Sequence, residues 1–300
     1  MLPTSERAQL IAVARLYYED NLTQAQIAQR LGVSRPLISR MLTKAREVGI
    51  VHIEICAGET GEKDLLEQLQ LKYGLLGGCI VSQGRGQWQQ AARYLATETA
   101  GDGVLGLGWG YTLGEICSGM EKGRLHQQLG LVLPLIGQAH IPNKGYHPDT
   151  LAQLWAEVCG RSSMLLGCPA FPASAEERDE LEAQSKYQEL AAQWQQLDAA
   201  VVAICGYPSV PDEATATRYG DALVKQRAVG SFLSYYYNER GEFISGNNDF
   251  CLHISLAALR RSKKLIGIGL NVGRATLSGA LATGLFTHLI VDEQQARSLL

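Results

Sequence analysis

The sequence predicts an α/β protein in two parts: a small helical unit over residues 1–56 and a larger doubly wound parallel-sheet domain over residues 57–300. Three observations lead there. The first 56 residues hold short amphipathic runs with helix-capping residues and two of the 32 glycines. Beyond them, short continuous apolar runs alternate with helical patterns, as strands buried on both faces do. The charge also divides, with a net of +2 over residues 1–56 and −5 over the remainder.

In the first unit, Ser5 is placed to cap a helix whose Leu10, Val13, Ala14 and Tyr17 recur at helical spacing. Thr23 opens a second helix, with Gln26 three residues on as its capping-box partner, and Ile27, Ala28 and Leu31 form its apolar face. Gly32 supplies the left-handed residue that a sharp helix end needs. Ser34 caps a third helix, Pro36 falls in its first turn, and Ile38, Met41 and Leu42 face inward. The stretch GIVHIEI then alternates as a strand, which suggests the wing of a winged-type unit.

This spacing is the helix-turn-helix pattern, which leaves the start of the third helix free to enter a major groove. Five basic residues and no acid lie between Arg30 and Arg46. Ser34, Arg35, Ser39 and Arg40 are candidates for base edges or nearby phosphates, since Arg reads guanine bidentately. Thr23, Gln24 and Gln26 stand where the second helix meets the backbone. Lys44 and Arg46 add charge attraction. The plainer reading is a helical hairpin with a solvated basic face; the turn glycine, caps and missing acids in one window favour double-stranded DNA.

In the second unit the expected strands are CIVS, VLGLGW, LVLPLIG, SMLLG, AAVVAICG, KLIGIGL and HLIVD. Helices are expected near 62–73, 87–100, 112–122, 150–160, 175–196, 213–228, 252–262, 274–283 and 293–300. SFLSYYYNERGEFI reads as a hairpin turning at Asn238 to Gly241, with Tyr235 to Tyr237 a strand of mixed faces. Ligands of such sheets sit at the carboxyl ends of strands. There GLGWGYTLGEI runs from a strand through Gly108 and Gly110 to Tyr111 and Thr112 at a helix start, a geometry suited to an anion. It is neither a Walker loop nor a G-x-G-x-x-G fingerprint, and a tight turn without a ligand is the competing reading. Gly137, Gln138, Gly206 and Asn271, at the ends of other strands, are candidate walls of the same effector site. Arg274 opens a helix and could meet an anion or lie solvated. Asp292 could cap the last helix or touch a ligand.

Composition excludes several classes. With 46% hydrophobic and 19% charged residues, the chain has no disorder signature. Its seven cysteines form no C-x-x-C pair, and its six histidines lack ligand spacing, so neither a disulfide framework, a metal nor a cofactor is expected. MLPTSERAQ lacks the apolar core of a secretory leader, and no run is long enough to span a membrane; a cytoplasmic protein is expected.

With these residues laid out, the chain resembles the SorC family of sugar-binding transcriptional regulators. LYYEDNLTQAQIAQRLGVSRPLISRMLTKAREVGIVHIEI is similar to that family's N-terminal module, and LGLGWGYTL to its glycine-rich loop. VLPLIGQ, AAVVAICG and GALATGLFTHLIVDEQQARSLL follow its later landmarks in order. The resemblance implies a repressor or activator, a homo-oligomer (dimer or tetramer) on operator DNA, with a C-terminal domain related to sugar-phosphate isomerase and deaminase folds. It implies a sugar or sugar-phosphate effector held at Gly108, Gly110, Tyr111 and Thr112, no catalytic residues and no membrane. The family usually has Gly-Gly where Gly137-Gln138 stands, Asp where Ser231 stands, and Lys near Arg274. Two alternatives remain open: an isomerase-like enzyme carrying a DNA-binding unit, with His140 and His147 near its site, and a regulator sensing an unphosphorylated sugar or polyol.

Overall fold

A computed structural model of the chain describes residues 6–18, 20, 22–51, 59–84, 86–120, 130–139, 142–208 and 213–300. The chain divides into two compact units, Met1–Glu59 and Thr60–Leu300.

In the first unit, α1 spans Glu6–Tyr18, α2 Gln24–Leu31 and α3 Arg35–Glu47. Thr23 and Gln26 form a complete capping box: the Gln26 N–H donates to Thr23 Oγ1 at 3.3 Å, and the Thr23 N–H donates to Gln26 Oε1 at 2.9 Å. Gly32 stands at φ 67°, so the chain leaves α2 through the left-handed region that a side chain would disfavour. Leu10, Val13, Ile27, Ala28, Ile38, Met41, Leu42 and Ala45 form one apolar core joining the three helices. The expected Ser5 cap and most of the wing strand lie outside the described residues.

The second unit runs α4 (Glu59–Tyr73), β1 (Gly77–Val81), α5 (Gln87–Glu98), β2 (Val104–Leu107), α6 (Tyr111–Gly119) and β3 (Leu131–Pro134). A 3₁₀ turn at Lys144–Tyr146 leads to α7 (Pro148–Cys159), β4 (Ser162–Ser163), α8 (Ala175–Glu182), α9 (Ser185–Trp194), β5 (Ala199–Ala203) and β6 (Cys205–Gly206). Then follow α10 (Glu213–Tyr219), α11 (Ala222–Lys225), β7 (Ala228–Phe232), β8 (Tyr235–Asn238), β9 (Phe243–Ile244) and α12 (Leu256–Arg261). The chain ends with β10 (Lys264–Ile268), α13 (Arg274–Ala282), β11 (His288–Asp292) and α14 (Glu293–Leu299).

Seven strands form one sheet in the order β1-β11-β10-β5-β2-β3-β4, and every neighbouring pair is parallel. Alternate residues feed two separate apolar layers. Ala200, Val202, Leu265 and Leu289 pack with α4, α9, α13 and α14, whereas Ala199, Val201, Ile266 and Ile290 pack with α5, α6 and α7. Burial on both faces is why these strands read as unbroken apolar runs. From β2 the chain moves outward to β3 and β4; from β5 it moves the other way to β10 and β11. The β2–β5 boundary is therefore the topological switch point, where the carboxyl ends of strands leave a crevice. A second, antiparallel sheet of order β6-β7-β8-β9 grows from the end of β5.

Three helical expectations change. The stretch 175–196 is two helices, because Gln184 is extended and restarts the chain at α9. The stretch 213–228 is also two, because Gly220 turns at φ 53°. Leu252 and Ile254 are bonded to Ala170 and Leu135, so that helix begins only after Ser255, which caps it.

Candidate functional site

Helix α3 buries Ile38, Met41, Leu42 and Ala45 and leaves Arg35, Ser39, Arg40 and Lys44 exposed. The Ser34 hydroxyl is not used as a cap. Arg35 and Arg40 have no hydrogen bond or ion pair among the described residues, so both guanidinium groups are free to bind. Thr23, Gln24 and Arg35 share an open groove of about 780 Å³ with Tyr17, Tyr18, Leu22 and Ala25. Gln26 is different. Its Oε1 accepts from both the N–H and the hydroxyl of Thr23, each at 2.9 Å, which commits that oxygen to the helix cap.

A second cavity, of about 190 Å³, opens at the switch point of the sheet. Gly108, Trp109 and Gly110 come from the end of β2, Ala203 from the end of β5, and Cys205 from β6. Phe171, Thr215, Tyr236 and Ser231 to Ser234 complete its lining. The glycine loop is fixed at both ends: Gly108 donates its N–H to Val201 O at 2.8 Å, and Gly110 to Tyr146 O at 3.1 Å. Gly110 is the N-cap of α6 and has no side chain with which to cap it, so first-turn N–H groups of that helix are left for another acceptor.

The other expected positions lie apart from this lining. Tyr111 is 57% exposed and packs edge-on against Trp88 and Tyr146, and Thr112 is half-buried on the first turn of α6. Gly137 is a glycine because the backbone of Pro169 and Ala170 leaves no room for a Cβ. Gln138 is bonded through its backbone to Cys168 and Ala170, and its side chain meets His147 Nδ1 at 3.1 Å. Arg274 is exposed at the start of α13. Asp292 caps α14, forming a capping box with Gln295. His140 lies outside the described residues.

The antiparallel hairpin provides wall residues of which the family resemblance marks only Ser231. Ser231, Leu233, Ser234 and Tyr236 come from it, while Tyr237 points into the core. Behind this wall Arg218, 5% exposed, pairs with Asp249 at 2.7 Å and lies over the Phe171 ring, 4.7 Å from its centroid. Desolvation opposes that charge, but Cys251, Tyr219 and Asp249 outweigh it and raise the Arg218 pKa. The surface of Cys205 opens into the cleft, yet surrounding protein atoms desolvate the thiol and push its pKa up. Desolvation likewise lowers His253, to about 4, against the opposing pull of its hydrogen bond to Leu233. Among the described residues no cluster of three or more His, Cys, Asp or Glu is arranged to hold a metal ion.

Known proteins resemble the chain over nearly its whole length. The family described as "Putative sugar-binding domain" matches residues 60–300, and Sigma-70, region 4, a helix-turn-helix unit, matches residues 6–48. A sorbitol operon regulator of Klebsiella pneumoniae is 28% identical over 97% of this chain and 96% of its own. A deoxyribonucleoside regulator of Bacillus subtilis is 30% identical over 98% of each chain. The crystal structure of full-length SorC from Klebsiella pneumoniae superposes with a TM-score of 0.87 at 26% identity, covering 99% of both chains.

Proposed function

Because the chain belongs to the SorC family of sugar-binding transcriptional regulators, we propose that it is a ligand-responsive, DNA-binding regulator of a carbohydrate-utilisation operon, with a sugar phosphate as effector. The observation that carries the reading is α3, which buries one apolar face and turns unpaired Arg35 and Arg40 outward. In this reading Ser34, Ser39 and Arg40 read the major groove, and Thr23, Gln24, Arg35 and Lys44 hold phosphates.

The effector lies in the cleft at the β2–β5 switch point. Its phosphate takes the N–H groups of Trp109, Tyr111 and Thr112, since those of Gly108 and Gly110 are bound to Val201 and Tyr146, and its carbon chain meets Thr215, Ser231 and Ser234. An effector moves the DNA equilibrium only if it binds one arrangement of the protein better than the other. One helix-turn-helix buries too little surface for tight specific binding, so the working form is a homo-oligomer that pairs half-sites. We take the protein to work in the cytoplasm and to catalyse no reaction, as its relatives are named regulators. No helix among the described residues is long and apolar enough to cross a membrane.

Footprinting of the DNA upstream of the adjacent genes, with and without sugar monophosphates, tests the reading. Protection that a monophosphate changes supports it; no protection at any salt concentration refutes it. A second reading, an unphosphorylated sugar or polyol, draws on the hydroxyl-bearing wall of Thr215, Ser231 and Ser234. Response to the parent polyol but not its phosphate would select it.

A further inference from the structure

Two residues of the cleft wall stand in a backbone conformation that neither side chain favours. Leu233 and Ser234 join β7 to β8 as a two-residue turn with φ of 48° and 65°. Consecutive left-handed residues suit a hairpin of this length, but Asn and Gly are the usual occupants. A leucine and a serine persist there only where their surroundings fix them.

Each carbonyl of the turn is held by a side chain from elsewhere in the chain. The imidazole of His253, stacked on Tyr235 at 4.0 Å between centroids, donates from Nδ1 to Leu233 O at 2.8 Å. Ser234 O accepts from Arg218 Nη2 at 3.4 Å and lies 3.1 Å from the Tyr219 hydroxyl. Asp249 anchors both side chains: its Oδ1 takes Arg218 Nε at 2.9 Å, and its Oδ2 accepts the single Tyr219 O–H at 2.7 Å, which leaves Arg218 as the donor to Ser234 O. Through its stack on Phe171 the same arginine braces a second part of the wall. The turn in turn meets the glycine loop, since Leu233 Cδ2 lies 3.4 Å from where a Cβ on Gly108 would stand.

We propose that Arg218, Tyr219, Asp249 and His253 are positioning residues that latch the Leu233–Ser234 turn against the Gly108–Gly110 loop and so set the cleft to its carbohydrate before the ligand arrives. The inference rests on the reading of this cleft as the effector site. Its physical basis is preorganisation: order already present in the free protein is not subtracted from the binding free energy.

The test compares full-length wild type with Asp249→Asn, Tyr219→Phe, Ser234→Gly and the Asp249→Asn/Ser234→Gly pair. The probes are fructose 6-phosphate, ribose 5-phosphate, sorbitol 6-phosphate and their unphosphorylated parents, titrated calorimetrically. Amide hydrogen exchange on the free proteins is the second measurement. Asp249→Asn should weaken the best-bound probe about tenfold and Tyr219→Phe about threefold. Exchange should rise at residues 231–237 and stay at wild-type rates in β5 and β10. Glycine accepts φ above zero without strain, so Asp249→Asn should cost clearly less affinity in the Ser234→Gly background than in wild type. Wild-type affinity and exchange in both Asp249→Asn and Tyr219→Phe would overturn the latch, as would an equal cost in the two backgrounds. Should Asp249→Asn fail to fold, Tyr219→Phe decides by the same readouts. If wild type binds none of the probes, the effector reading fails for these classes, and the exchange rates alone decide the latch.

Discussion

The N–H of Gly110 reaches back to the carbonyl of Tyr146 at 3.1 Å, and Gly110 itself stands at φ 99°, ψ −175°. This pair fixes the end of the glycine loop where α6 begins. That corner of backbone space is open essentially to glycine alone. No atom lies within 4 Å of a Cβ built there, so an added methyl group meets strain and not a clash.

Gly110→Ala should therefore cost roughly 1–3 kcal/mol of stability, or else displace the loop. Either outcome removes the anion geometry proposed above. We expect effector affinity to fall at least tenfold while operator affinity without effector is kept. Urea denaturation and calorimetric titration on one preparation check both parts; an alanine variant with wild-type effector affinity would separate the loop from the ligand.

Thr112→Asp separates helix stability from anion binding. Thr112 is the second residue of α6. A carboxylate near a helix start is stabilising by about 0.3–1 kcal/mol, so the fold should hold or gain slightly. The same charge repels a phosphate on the neighbouring N–H groups. The expected result is an unchanged or higher midpoint of unfolding with a weakened response to the phosphorylated effector. A reporter induction curve identical to wild type would remove the phosphate from this loop.

How much of this was legible depends on how local each signal is. The helix-turn-helix was readable because its caps, turn glycine and core residues fall within about two dozen positions and each constrains its neighbours. Six of the seven parallel strands were readable because a run such as AAVVA, apolar at every position, has only a doubly covered sheet in which to lie; the seventh, expected at SMLLG, is instead the exposed pair Ser162–Ser163. The cleft was less legible. Phe171, Cys205, Thr215 and Ser231 arrive from separate segments, and no period in the sequence joins them. Leu233-Ser234 carries no turn residue, so the tightest bend of the hairpin was invisible beside the readable Asn238–Gly241 turn. Arg218 and Asp249 are 31 residues apart and belong to no motif. Gly137 shows the opposite problem: a glycine at a strand end suggested a ligand, and the structure gives it close packing against Pro169.

The two arginines of α3 should fail in different ways if they do different jobs. A side chain that reads a base costs roughly 1–3 kcal/mol on truncation and relaxes specificity at one position. A phosphate contact weakens all sequences alike and lowers the salt slope by about one. Arg35 borders the groove shared with Thr23 and Gln24, so Arg35→Ala should show the phosphate pattern. Arg40, further along the exposed face, should show the base pattern when replaced by Ala. Affinities measured across a salt series on wild-type and single-substituted operators distinguish them. Gln26→Ala, by contrast, should cost the fold about 1 kcal/mol through its cap. Wild-type footprints from both arginine variants would mean that α3 does not face the duplex.

His253 gives the second unit a pH dependence whose direction is set by its surroundings. Desolvation lowers its folded-state pKa to about 4 from an ordinary 6.5; Asp249 and the Leu233 carbonyl pull it up, and Arg218 pushes it down. The unfolded chain therefore takes up a proton as pH falls through 6.5, while the folded chain refuses it until about 4. Between those values the unfolded state binds more protons, so stability declines as pH falls and is fully present only above 6.5. At 1.36 kcal/mol for each unit, the loss attributable to this one group approaches roughly 2–3 kcal/mol by pH 4. His253→Gln keeps a donor within reach of Leu233 O and removes the titration. Its stability should start lower at pH 7 and fall less steeply between pH 6.5 and 4 than that of wild type. Urea midpoints at half-unit steps of pH measure the two slopes, and parallel curves would show that the imidazole is already protonated, or already solvated, in the folded protein.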